Sequence, residues 1–516
     1  MENKFLNGLN ATNEFGYTEN GAVKRTTTGS ELLNMFSLGG AYRSRSESDV
    51  ILLFKKAYDE NPRYALKCLF YLRDVRGGQG ERRFFRICMK WLVSYDREAA
   101  KRNMKYIAEY GRWDDLYVFL DTALETDMFA IILKQLRKDV QTETPSLLAK
   151  WLPSENTSSK ETCARATRTR KALGMTHKQY RKTLSILRER INVLERLMSA
   201  NEWDKIEFDK IPSKAGMIYK EAFIRHDLER SKENAQTYEQ FIKDENTKVN
   251  AKTLYPYECV NEVFKSNGPY YRRNELPIND TNRMAINKYW DNLADYFNGC
   301  SFNGMAVVDT SGSMMGSNAD APLNIAISLG LYCADKAKGP FAGHFMTFSS
   351  NPKFVKTEGV DFYDKVNRMA SAEWGGSTNV EAAFDLMLET AIKNKCRQDE
   401  IPQSLIIISD MEFDSCTSTG TAATNSLYGW SYSRKIPDAT LFETMEKKWN
   451  AAGYKMPTLT FWNVQARHDG TPMRVKDGVN LVSGASPSIF KMVMENKNAF
   501  DLMYEVLDNE RYSVIG

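Results

Sequence analysis

The sequence predicts a multidomain chain, an all-α domain of HEAT-like helices followed by an α/β domain built on a doubly wound, mostly parallel sheet. Three observations predict it. Before residue 300, apolar residues recur at helical spacing and no convincing alternating strand appears. After 300, short apolar runs alternate with helical patterns, which is how βαβ units read. The change falls at Asn298-Gly299, between the last helical stripe and the first apolar run.

Residues 1–40, rich in Asn, Gly and Thr, read as an extended arm that packs on another part of the protein. Residues 41–298 form the helical domain. Phe84, Ile87, Cys88, Trp91 and Leu92 recur at the spacing that one face of a core-packed helix requires, and Leu184, Leu187, Ile191, Leu194 and Met198 continue as one stripe. Similar patterns lie at about 49–60, 62–74, 97–109, 114–123, 126–140, 212–225, 228–245 and 282–297. Helix after helix with short polar turns suggests a solenoid of helix pairs, although no repeat is strict.

Residues 301–516 form the α/β domain. Strands are expected at Met305–Asp309, Gly343–Phe348, Ser404–Asp410, Thr458–Val464 and Val479–Ser483, with a short edge strand at Lys353–Thr357. Helical patterns at about 322–338, 380–394 and 438–452, and one starting near Ser488, separate them. Pro322 opens the first of these and Thr378-Asn379 offers N-cap residues to the second.

Three oxygen-rich loops join these elements. Asp309-Thr310-Ser311-Gly312-Ser313 follows the first strand, Gly375-Gly376-Ser377-Thr378-Asn379 precedes a helix, and Asp410-Met411-Glu412 follows the run Leu405–Ile408. A hard divalent cation takes carboxylate, hydroxyl and water oxygens, and these loops offer carboxylates and hydroxyls without imidazole or thiolate. Each loop alone reads most simply as a cap or turn. Ligands of open α/β sheets nonetheless sit outside the carboxyl ends of the strands, where all three fall.

Composition narrows the classes. The chain of 516 residues, 42% hydrophobic and 26% charged, is that of a globular protein. No apolar run approaches the length of a membrane span and the first residues lack a signal core, so no membrane association and a cytoplasmic location are expected. Eight cysteines stand singly and four histidines are dispersed, which speaks against zinc sites and histidine-based triads. Charge is divided: residues 1–300 carry 50 Lys and Arg against 41 Asp and Glu, whereas 301–516 carry 20 against 25.

The basic excess is densest in 151–200, with Arg165, Arg168, Arg170, Lys171, Arg181 and Lys182. A second basic feature is the turn Asp74–Arg83, whose Arg76, Arg82 and Arg83 flank Gly77-Gly78-Gln79-Gly80, echoed by Gly111-Arg112-Trp113-Asp114-Asp115. It lacks the Gly-Lys-Ser/Thr of a nucleotide P-loop. One reading is structural, with glycine C-caps and Asp114 as N-cap. The other is phosphate binding near a helix N-terminus. Positive charge with Tyr180, Trp151, Tyr270 and Tyr271 suits single-stranded RNA, though no RNP, KH or zinc-knuckle pattern is present.

The three loops together resemble the metal-ion-dependent adhesion site of von Willebrand factor A domains, whose pattern is Asp-x-Ser-x-Ser, a distant Thr and a distant Asp. The resemblance implies Mg²⁺ or Mn²⁺ held by the hydroxyls of Ser311, Ser313 and Thr378, with Asp309 and Asp410 binding directly or through water. Asp414 is a less favoured third-loop carboxylate. It also implies a protein partner donating an Asp or Glu to the ion. Further motifs, Leu148–Ser154, Lys210–Ser213, Ser409–Phe413 and Phe461–Val464, look like an uncharacterised cytoplasmic family with such a C-terminal domain. The layout is remotely similar to TROVE-domain proteins such as the Ro ribonucleoprotein autoantigen. That similarity implies a ribonucleoprotein component binding a small structured RNA or an RNA 3′ end. The alternatives are a metal-dependent protein-recognition scaffold without RNA binding, or a metal-dependent phosphodiesterase, for which the carboxylates are sparse.

Overall fold

The computed structural model describes residues 14–267, 279–316, 321–348, 351–370, 378–415, 439–494 and 497–516. It is helical up to residue 291 except for one small hairpin, and α/β from Gly304 onward. Contacts divide the chain into two compact units that are discontinuous in sequence. An α/β unit comprises Met1–Cys68, Leu254–Ile278 and Leu293–Glu510, and a helical unit comprises Leu69–Thr253, Asn279–Asn292 and Arg511–Gly516. This differs from the linear division at residues 40 and 298 expected from the sequence.

The α/β unit is built on a six-stranded sheet. After the hairpin strands β1 (Phe15–Tyr17) and β2 (Val23–Arg25), its strands are β3 (Gly304–Asp309), β4 (His344–Phe348), β5 (Lys353–Lys356), β6 (Ser404–Ser409), β7 (Thr458–Asn463) and β8 (Val479–Ser483). Their spatial order is β5-β4-β3-β6-β7-β8, with only the edge strand β5 antiparallel to its neighbour. The chain starts in the middle, winds outward through β4 and β5, then returns to wind the other way from β6. The switch therefore lies between β3 and β6. In such sheets the crevice outside the carboxyl ends of the strands at the switch is where ligands bind.

β3 is buried along its whole length, and so is β6 after Ser404, which is why both read as unbroken apolar runs rather than alternating ones. Helix Pro322–Lys336 packs on β3, β4 and β6, with Pro322 in its first turn. Helix Val380–Asn394 starts at Asn379, whose Oδ1 accepts from the Ala382 N–H at 3.0 Å, as a capping residue should.

The N-terminal segment departs from the expectation of an extended arm and of no strand before 300. β1 and β2 pair antiparallel, and helix Glu31–Leu38 buries Leu32, Leu33, Met35 and Phe36 and packs on β8. Three-residue strands are too short to show alternation, which explains their invisibility in the sequence.

In the helical unit several expected helices are interrupted. The stripe from Leu184 to Met198 is two helices, His177–Arg190 and Leu194–Ser199, parted where Asn192 adopts φ +47°. The pattern at 228–245 is likewise Asp227–Lys232 and Tyr238–Lys243, with Asn234 at φ +55° and the Asp227 carboxylate accepting the N–H of Tyr238 and Glu239. Asparagine tolerates the left-handed region, so each break preserves the apolar face while turning the chain.

The glycine-rich turn folds back over the helix that precedes it. Gln79 N–H donates to the Tyr71 carbonyl at 3.2 Å and Glu81 N–H to that of Leu72 at 2.6 Å. A Cβ on Gly78 would lie 1.9 Å from the Tyr71 oxygen. Gly78→Ala is therefore expected to lower stability by about 1–3 kcal/mol or more through overpacking against backbone that cannot yield. A shift of the urea midpoint to lower concentration would register it; an unmoved midpoint would count against the turn as drawn.

Candidate metal centre and the basic surface

Parallel pairing of β3 with β6 puts Val308 opposite Ile408, so Asp309 and Asp410 leave adjacent strands at the same edge. Asp309 is fully buried. Its Oδ1 accepts from the Ser311 N–H at 2.9 Å and its Oδ2 from the Ser409 hydroxyl at 2.5 Å. Burial, then the charge of Asp410, pushes its carboxyl up to about 7. The Ser311 and Ser313 hydroxyls are 3.0 Å apart. Thr378 is buried and its backbone carbonyl takes the N–H of Asp414 at 3.1 Å, tying the second loop to the third.

Asp410 is 1% exposed, and burial raises its carboxyl above the usual range. Oδ1 accepts the Glu412 N–H at 3.2 Å. Oδ2 is buried with no hydrogen bond, although Arg467 Nε lies 3.2 Å away as an ion-pair neighbour. The two are close as charges, yet neither is aligned to bond the other. A buried carboxylate oxygen without a hydrogen bond, on the strand edge that carries the Ser311 and Ser313 hydroxyls, suits a hard cation. Met411, between Asp410 and Glu412, is held at φ +66°, a strained conformation of the kind that collects at binding sites.

The structure thus brings Asp309, Ser311, Ser313 and Asp410 to one strand edge and links Thr378 to the same loops. Gly375, Gly376 and Ser377 lie outside the described residues. Asp414 forms an isolated bridge with Gly21. Four contributors went unseen in the sequence. Ser409 anchors Asp309, Arg467 stands by Asp410, and the β1–β2 turn brings Glu19 and Asn20 to the loops. Asn20 Nδ2 donates to Thr378 Oγ1 at 3.3 Å and to the Glu412 carbonyl at 2.7 Å, while Glu19 N–H donates to Glu412 Oε2 at 2.5 Å. Glu19, Glu412 and His468 bring ligand atoms within 4.8 Å of one another.

The basic residues singled out in the sequence divide into two groups. Arg76 donates to the Glu109 carbonyl, and Arg82 pairs with Asp114. Asp114, expected as an N-cap, instead receives Arg82, Arg86 and Arg112, while Asp115 accepts the Arg112 N–H at 3.0 Å. Arg165 pairs with Glu161, Arg168 with Asp121 and Glu125, and Arg170 with Glu155. Arg83 is exposed and has interactions of its own. By contrast Lys171, Arg181 and Lys182, with Lys178, are exposed along helices Lys160–Ala172 and His177–Arg190, and none takes an ion pair among the described residues. Tyr180 is buried with its hydroxyl on the Pro153 carbonyl at 2.8 Å, and the Arg112 guanidinium covers one face of the half-buried Trp151. Tyr270 and Tyr271 lie outside the described residues.

Fold and site define a class, a helical region joined to a doubly wound α/β domain that carries aspartate and hydroxyl loops at its topological switch. The chain belongs to the family of the domain of unknown function DUF2828, whose model matches residues 18–143 and 123–299. A second model, the domain of unknown function DUF7788, matches residues 303–513. The uncharacterized protein L728 of Acanthamoeba polyphaga mimivirus is 31% identical over 536 residues, covering 95% of this chain and 87% of that one. Among solved structures, the crystal structure of the Deinococcus radiodurans Ro (RSR) protein aligns at 12% identity with a TM-score of 0.45, covering 91% of this chain and 99% of the other. No described helix is long and apolar enough to cross a membrane.

Proposed function

We propose that this is a non-enzymatic binding protein whose α/β domain holds Mg²⁺ or Mn²⁺ and whose helical region binds RNA. The observation that carries the metal reading is the buried Asp410 Oδ2 without a hydrogen bond, on the strand edge that also carries Asp309 and the Ser311 and Ser313 hydroxyls. The ion would be held by these hydroxyls and that of Thr378, with Asp309 and Asp410, and it would supply a Lewis-acidic position for one further anionic oxygen. Binding is favoured over catalysis because both oxygens of Asp309 are already engaged, which locks that carboxylate in place rather than leaving it free as a base. Calorimetric titration with Mg²⁺ tests the reading directly.

The RNA reading rests on Lys171, Lys178, Arg181 and Lys182, four exposed cations on two successive helices, within a stretch of net positive charge. Sequence-independent phosphate attraction comes from such groups, and each phosphate neutralised on a single strand steepens the salt dependence by about 0.7 in the log–log slope. Replacing the four by Gln is expected to flatten the slope of filter binding by up to ~3. Replacing Arg165 and Arg168, whose charges are already paired, should change it little. Equal effects of the two sets would refute this assignment. The partner is pictured as a small structured RNA or an RNA 3′ end, and the cytoplasm as the compartment.

A further inference from the structure

We propose that the turn of the N-terminal hairpin is the resident occupant of the metal loops, with Glu19 as the chain's own carboxylate for the ion. The inference rests on the metal reading above and names the ligand of that site.

The turn is fixed over the loops from both sides. Thr18 Oγ1 donates to the Phe413 carbonyl at 2.6 Å, Ser415 N–H to the Asn20 carbonyl at 3.2 Å, and Gly21 bridges Asp414. Between these ties Asn20 contacts the Thr378 hydroxyl, one of the three hydroxyls assigned to the ion. Glu19 Oε2 is 3.3 Å from Arg467 Nη1, and Nε of the same guanidinium is 3.2 Å from Asp410 Oδ2. Arg467 Nη2 also donates to the Ser313 carbonyl. One guanidinium thus connects Glu19 to two of the metal loops.

The charges account for the arrangement. Arg467 by itself would repel a cation at Asp410, and Glu19 offsets it. A third carboxylate carried to the edge of a dication site by a tethered turn has a high effective concentration, so it competes well against carboxylates from outside. A partner's Asp or Glu reaches the ion only when the turn lifts. The side chain of Glu19 is half-exposed, so its removal leaves the core untouched.

The test is calorimetric titration of Mn²⁺ into the full chain, wild type and Glu19→Gly, with and without tens of millimolar acetate. The expected result is that E19G weakens Mn²⁺ binding about tenfold and that acetate restores most of the loss, while acetate leaves the wild type unchanged. Wild-type protein that fails to bind Mn²⁺ would overturn the underlying metal reading. Wild-type binding with E19G indistinguishable from it would overturn only this proposal. A loss that acetate does not restore would make Glu19 a brace of the hairpin and overturn it equally.

Discussion

Asp309→Asn is expected to weaken Mg²⁺ binding at least about a hundredfold, roughly 2.7 kcal/mol. The magnitude follows from charge. A dication and a carboxylate on the order of 5 Å apart attract by about 3–7 kcal/mol at an effective dielectric of about 20–40. The amide keeps one acceptor for the Ser311 N–H or the Ser409 hydroxyl, so the loop retains its shape. Burying an uncompensated carboxylate costs stability, so the metal-free variant should unfold no earlier than the wild type. Loss of affinity with unchanged metal-free stability marks a metal-binding role. An isotherm identical to wild type would remove Asp309 from the site.

Asp115→Asn should lower the stability of the helical unit by about 3–5 kcal/mol, because it breaks a buried ion network and leaves its cations behind. Asp115 is fully buried and Arg73 is 2% exposed. The carboxylate accepts from Arg73 Nε and Nη2 at 2.9 and 2.6 Å and from Arg86 Nε at 2.7 Å. Burial would raise its carboxyl, but Arg73 and Arg86 outweigh that and hold it below the ordinary range. A depressed carboxyl stabilises the fold fully above the unfolded-state value, about 4, and this is lost as pH falls below it. The wild type should therefore lose its advantage over D115N on acidification below about 4. Denaturant midpoints of the pair across pH measure this; a deficit under about 1 kcal/mol at neutral pH would contradict a structural network.

The same network explains what the sequence concealed. Arg82 sits in a glycine- and arginine-rich turn that resembles a phosphate site, yet its partners, Asp114 and Asp115, lie about thirty residues further on, inside the echoing motif. Spacing along a chain does not reveal which acid answers which base. The sheet was more legible, because strands buried on both faces must be apolar throughout and Asp309 and Asp410 end such runs. Helix existence was readable from apolar spacing, whereas the breaks at Asn192 and Asn234 were not, since the apolar stripe continues across them. Glu19 and Asn20 meet residues more than 350 positions away, through a hairpin whose strands are three residues long. Nothing local in that stretch distinguishes it from a solvated arm.

In the proposed metal centre Asp309, Ser311, Ser313, Thr378 and Asp410 hold one divalent cation. Anomalous diffraction from crystals equilibrated with Mn²⁺ at about ten times its measured dissociation constant tests it most directly. A single strong peak is expected within about 2.0–2.3 Å of the Ser311, Ser313 and Thr378 hydroxyls, a bonding distance for a hard octahedral ion. A peak more than about 3 Å from all three hydroxyls, or no peak at the loops at that saturation, would remove these five residues as the cation site.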